Sequence, residues 1–98
     1  MTDTPAPAAP APPEDELIRR CLGGAPEAFS CLVTRYRDRV FNAVLRICRS
    51  KDDAEEIAQE AFLTAYEKLA AFRGVSSFYT WLFRIAVNRA LSRCRKAG

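Results

Sequence analysis

Residues 72–96 read FRGVSSFYTWLFRIAVNRALSRCRK. Within them Phe72, Phe78, Tyr79, Trp81 and Phe83 are interleaved with six basic residues, and no acid follows Glu67. Phe78, Trp81, Leu82 and Ile85 recur at the spacing of one helix face, so the segment reads as a helix whose rings mostly serve a core. Burial explains rings. It does not explain seven cations in the last 31 residues with nothing to neutralise them. Cations neutralise phosphates and flat rings accept unstacked bases, so the mixture points to nucleic acid, single strands above all.

Working outward, Ser76 or Ser77 can cap this last helix, which should run to about Lys96 after a break at Arg73-Gly74. Upstream of the break, Ile57, Ala58, Ala61, Phe62, Ala65 and Leu69 mark a third helix, opened by a capping box of Asp52 and Glu55. A second helix is expected to open at Pro26 and to carry Phe29, Leu32, Val33, Tyr36, Val40, Val44 and Ile47 inward. Its outer face, Arg35, Arg37, Arg39 and Arg46, is basic. A short first helix should start near Glu14, where Glu14, Asp15 and Glu16 suit a helix N-terminus, and stop at Gly23-Gly24. Leu17, Ile18, Cys21 and Leu22 form its apolar stripe. No strand pattern competes, which predicts an all-α, compact bundle of three main helices plus the short N-terminal one. Residues 1–13, MTDTPAPAAPAPP, hold five of the six prolines and are expected to be a disordered tail.

With 98 residues there is room for one small domain, at residues 14–98. The net charge of +3 conceals blocks of opposite sign: six bases and one acid over residues 35–51, six acids and no base over residues 52–67, then bases alone. That layout suits an acidic face for a protein partner and a basic face for a polyanion, although solvated helix faces give the same blocks. The chain has no histidine and its four cysteines form no CxxC, so neither a zinc site nor any other metal or cofactor is expected. Cys21, Cys31 and Cys48 read as small buried hydrophobes and Cys94, among arginines, as the more reactive thiolate. No internal disulfide is expected under reducing conditions. Asp52, Asp53, Glu55, Glu56 and Glu60 lack an oxygen-rich loop to complete a metal shell and read as a solvated acidic face. The N-terminus shows no signal-peptide pattern and no segment approaches membrane-spanning length, which predicts a cytoplasmic protein with no membrane insertion. None of the HExxH, GxSxG, Walker or GxGxxG patterns occurs, so no enzyme is expected.

Residues 52–74, DDAEEIAQEAFLTAYEKLAAFRG, and residues 76–96, SSFYTWLFRIAVNRALSRCRK, together resemble region 2 of bacterial RNA polymerase sigma factors of the extracytoplasmic-function group. The likeness extends from about Glu14 to Lys96. It implies a promoter-melting domain, with the C-terminal helix-turn-helix domain of that family absent from this chain. Core RNA polymerase is the implied first partner, met through a coiled coil of its largest catalytic subunit by Asp53, Glu56, Gln59, Glu60 and Leu63. The second is promoter DNA, whose −10 element would be opened by capture of nontemplate-strand bases. Phe72, Gly74, Val75, Ser76 and Ser77 match the loop that receives a flipped base in the family, and Asn88 matches a base-contacting position. Tyr79, Trp81 and Phe83 match the aromatic cluster associated with melting. Arg84, Asn88 and Arg95 follow one line of the last helix and Arg89, Arg93 and Lys96 another, and at least one line must face outward to meet DNA. An anti-sigma factor is a further implied partner.

Two other classes remain open on the residues alone: a small helical repressor reading duplex DNA, and a purely protein-binding helical adaptor. A repressor needs a recognition helix after a tight turn and normally a dimer seam, neither of which is evident. An adaptor has no use for an aromatic-rich loop.

Overall fold

The computed structural model describes residues 12–95, so the expected tail, Pro12 and Pro13 apart, lies outside the described residues, as does Lys96. Four helices, α1 (Glu14–Leu22), α2 (Ala28–Cys48), α3 (Lys51–Glu67) and α4 (Phe78–Arg95), are joined with a short 3-10 turn at Leu69–Ala71. The architecture is the expected all-α bundle, with α2, α3 and α4 packed mutually and α1 laid against α2. Among the described residues no helix is long and apolar enough to cross a membrane.

Each helix end has a local cause. The Pro13 carbonyl accepts from the Glu16 and Leu17 amides at 3.0 and 3.1 Å, and three acids in the first turn complement the positive end of α1. At the other end Ala25 N–H donates to Arg20 O at 2.9 Å and Gly24 N–H to Cys21 O at 3.2 Å. That paired closure requires a left-handed residue, supplied by Gly24 at φ 106°. Leu17 is buried as expected, but Leu22 is 53% exposed. Five positions along a helix turn a side chain about 140° away from Leu17, off the contact face.

Helix α2 starts two residues later than expected, because Pro26 and Glu27 form a turn whose carbonyls accept from the Phe29 and Ser30 amides. Phe29, Leu32, Val40 and Val44 are buried, while Val33, Tyr36 and Ile47 are half-buried at the margins. Arg37, Arg39 and Arg46 face outward, and the Arg35 guanidinium donates to the Pro12 carbonyl at 3.2 Å. The cap of α3 is Ser50, not Asp52: its Oγ accepts from the Asp53 amide at 3.3 Å. Ser50 is extended (φ −127°, ψ 125°), so helical geometry already begins at Lys51 and Asp52 falls inside the first turn.

The core is built around small residues on α3. Ala54, Ala58, Ala61 and Ala65 are buried with Ile57 and Phe62, in one core cluster with a buried line on α4 of Phe78, Leu82, Ala86 and Ala90. Small side chains at such a contact let helix axes approach closely. Ser77 caps α4, its Oγ accepting from the Thr80 amide at 3.1 Å. Phe78 is 1% exposed and meets four rings, those of Phe29, Tyr36, Phe72 and Trp81, with centroids between 5.8 and 6.4 Å away. Burying a side chain of that size stabilises the fold by about 1.5–3 kcal/mol, before any edge-to-face contribution.

The cysteines depart from expectation. Cys48 and Cys94 are joined in a disulfide, with Cα atoms 5.4 Å apart, where no internal bond was expected under reducing conditions. The last turns of α2 and α4 lie side by side, a proximity invisible in a sequence separation of 46. Cys94 is therefore a bonded half-cystine and not a free reactive thiolate. Cys31, expected inside, is exposed, because it falls on the opposite side of α2 from Phe29; Cys21 is half-buried. Burial, then the neighbouring Cys31 and Glu27, push the Cys21 thiol above its ordinary pKa.

Candidate nucleic-acid interface

The segment between α3 and α4 is shaped by three residues. Phe72 is extended (φ −70°, ψ 121°) and its amide closes the 3-10 turn on Leu69 O at 3.0 Å. Its ring is wedged edge-on against Phe78 at 5.9 Å and tilted against Trp81 at 5.1 Å. Gly74 then takes φ 75°, a left-handed conformation that turns the chain outward and leaves Val75 93% exposed. Ser77 returns the chain into α4 as its cap.

The result is an open hollow of about 380 Å³ lined by Ala71, Phe72, Arg73, Val75, Ser76, Trp81 and Arg84. Five of the residues expected to touch nucleic acid, Phe72, Val75, Ser76, Trp81 and Arg84, are thus brought together, and Gly74 and Ser77 set the shape of the loop. Two half-buried rings, tilted 46° to each other, give the hollow its apolar surface, and two arginines and a serine complete the lining. Such a site can stack a single planar base and hold the phosphate that follows it. Arg84 makes no ion pair among the described residues, so its charge is available to a ligand.

Tyr79 does not line this hollow. It lies on the α2 side of α4, its ring 5.1 Å from Tyr36 and 5.5 Å from Phe83, with the Arg39 guanidinium 5.6 Å from its centre. Arg39 also lies 6.0 Å from the Tyr36 ring. The sequence reading had placed Arg39 only on a basic outer face; its spacing of three from Tyr36 was the available signal for cation–π contact. The Tyr36 hydroxyl donates to the Glu14 carboxylate, and burial first, that bond second, hold its pKa above the ordinary tyrosine value.

Asn88 lies elsewhere again, in a groove of about 620 Å³ between α3 and α4 that it shares with Glu60, Thr64, Lys68, Arg89, Ser92 and Arg93. Here the expectation that nothing neutralises the C-terminal cations fails for two of them. Arg89 Nε is 3.2 Å from Glu60 Oε1, and Arg93 reaches Glu60 and Glu56, each at 3.0 Å. The acids are 29 to 37 residues away in sequence but adjacent in space, because α3 packs against α4. Arg89 and Arg93 thus face α3, Asn88 lines the same groove although exposed, and Arg84 lies apart in the hollow of the loop; the Arg95 side chain is outside the described residues.

The residues expected to dock a protein partner all lie on α3. Asp53, Glu56, Gln59 and Leu63 are exposed and Glu60 is partly so, with Leu63 presenting 58% of its surface. Gln59 turns toward α2, lining a shallow hollow of about 390 Å³ with Arg37, Asp38, Phe41, Glu55 and Phe62. Leu63 shares its helix line with Gln59. Among the described residues no group of histidine, cysteine and acidic side chains could hold a metal ion.

Comparison with known proteins agrees with this geometry. The sigma-70 region 2 family model matches residues 32–98. The ECF RNA polymerase sigma-E factor of Escherichia coli K12 is 49% identical over 74 residues, covering 76% of this chain and 38% of its own length. The RNA polymerase sigma-H factor of Pseudomonas aeruginosa is 42% identical over 77 residues, covering 79% and 40% respectively. The chain therefore spans about two fifths of the length of these relatives. An NMR structure of an engineered region 2 of sigmaE in complex with GTAAAA superimposes with a TM-score of 0.80 at 36% identity, over 90% of this chain and 92% of that one. On the fold, the family match and these relatives, the chain belongs to the sigma-70 region 2 family.

Proposed function

We propose that this chain is the promoter-opening domain of an extracytoplasmic-function sigma factor, which captures nontemplate-strand bases of the −10 element while attached to core RNA polymerase. The observation that carries this reading is the hollow walled by Phe72 and Trp81 with Arg73 and Arg84 at its edge. A relative of the same fold is bound to the oligonucleotide GTAAAA, which fits a site of that kind. Unpairing costs a few kcal/mol per base, and stacking returns about 1–3 kcal/mol for each base captured. Capture therefore needs no nucleotide hydrolysis and no catalytic residue.

Flipped-base contacts fall to Phe72, Val75 and Ser76, backbone phosphates to Arg73 and Arg84, and the upstream bases to Asn88. Asp53, Glu56, Gln59, Glu60 and Leu63 meet the coiled coil of the largest polymerase subunit, where exposed carboxylates can pair with arginines of a partner helix. An anti-sigma factor covering these faces would silence both, and the work is done in the cytoplasm, where polymerase and promoter are. The duplex-reading repressor is disfavoured by the loop, since a strand held in a stacked duplex cannot reach a ring wall. A pull-down against core polymerase tests the docking face. Glu60→Lys with Gln59→Ala should weaken retention with an unchanged circular dichroism spectrum; undiminished retention would remove the α3 assignment.

A further inference from the structure

Glu60 lies at the centre of a cluster of donors. Arg89 and Arg93 both point at its Oε1, and Thr64, Lys68, Asn88 and Ser92 line the same groove. The geometry is that of two guanidinium groups converging on one anion, the arrangement that also suits a phosphate. Apart from the carboxylate itself, no acidic residue lines the groove. Exposed arginines that could pair with solvent are instead spent on the face of α3 that the proposed function gives to polymerase.

We propose that the α3–α4 groove is a seat for a backbone phosphate of single-stranded DNA, and that Glu60, helped by Glu56, occupies it as an internal stand-in until a protein partner takes up the glutamates. This rests on the proposed function for the identity of both ligands. The same two carboxylates cannot serve Arg89, Arg93 and a partner's cations at full strength. Engagement of α3 by polymerase therefore frees Arg89 and Arg93 at the moment DNA is to be opened, and phosphate bound in the groove in turn makes the glutamates available to the partner, because coupling between two sites is reciprocal. Thr64 and Ser92, the hydroxyls of the groove, then place the phosphate by neutral hydrogen bonds beside the two cations.

The test uses the full 98-residue chain and a labelled oligothymidylate, which reports backbone contact without base selectivity. Fluorescence anisotropy at low salt compares Glu60→Gln with Glu55→Gln, an equal change of charge on the same helix at a residue in no ion pair among the described residues. Glu60→Gln should tighten binding about fivefold, within the range set by exposed ion pairs, and Glu55→Gln less than about twofold. Placed on Arg89→Gln/Arg93→Gln, Glu60→Gln should do no more than Glu55→Gln. Equal effects of the two glutamates, or a gain that survives loss of both arginines, would overturn the seat. Base capture by the loop is read separately, on promoter strands, so either idea can fail while the other stands.

Discussion

Phe78 and Trp81 are one helical turn apart, yet one is buried and the other half-exposed, and on the proposed function substituting each by alanine separates a core ring from a stacking ring. Phe78 is fully enclosed by Phe29, Tyr36, Phe72 and Trp81, so Phe78→Ala removes its burial and leaves a cavity; such changes cost about 3–5 kcal/mol. Against a total of about 5–15 kcal/mol for a domain of this kind, that is a large share. Trp81 is half-buried, packed against Phe72 and Phe78 and lining the hollow, so its loss should cost roughly 1.5–2.5 kcal/mol, about half the core value. Its larger effect should be on DNA: one lost base stack of about 1–3 kcal/mol is roughly a 5- to 150-fold loss of single-strand affinity. Urea titration followed by circular dichroism gives the first pair of values. Anisotropy with a labelled single strand, at urea-free conditions where both variants are folded, gives the second. A Phe78→Ala cost below about 1.5 kcal/mol, or full strand affinity in Trp81→Ala, would refute the division between core ring and stacking ring.

The disulfide closes a loop spanning a sequence separation of 46, which on the chain-entropy model stabilises the fold by about 4 kcal/mol. Dithiothreitol or Cys48→Ser should lower the urea midpoint accordingly, and Cys31→Ser should not; an unmoved midpoint on reduction would show the bond to be absent in solution. Tyr36 has a raised pKa in the folded state, so the fold holds its phenolic proton more tightly than the unfolded chain does. The stability contributed by the Glu14 contact is then complete below the ordinary tyrosine value of 10.0 and is lost as pH rises through the higher folded value. Tyr36→Phe should remove that alkaline slope in denaturation profiles taken across this range.

Much of the fold was legible because its signals are local. Gly23-Gly24 ends α1 for the conformational reason the sequence suggests, Ser77 caps α4, and the apolar stripe from Ile57 to Ala65 is buried throughout. The N-terminus of α3 was misread because two registers, Ser50 with Asp53 and Asp52 with Glu55, carry the same cap chemistry, and only the backbone angle of Ser50 decides between them. What was not legible is long-range. The Cys48–Cys94 bond depends on how α2 and α4 approach and the Glu60–Arg93 pair on how α3 and α4 do, which no spacing encodes. The candidate site divides the same way: Phe72 to Arg84 are near in sequence and form one hollow, whereas Asn88 and Tyr79, read as part of the same group, lie in other places.

The central claim is that bases are taken up by the Phe72 loop and phosphates by the unpaired cations of α4. Anisotropy with the single strand GTAAAA, its duplex, and single strands with one base changed at a time, at several salt concentrations, measures both at once. The account predicts a preference for the single strand over the duplex. Phe72→Ala should lose discrimination among the changed bases, while Arg84→Ala weakens every strand alike and reduces the salt slope by about one. Uniform loss of affinity in both variants, with base discrimination intact in Phe72→Ala, would contradict it and reduce the aromatic cluster to a core beneath a nonspecific basic surface.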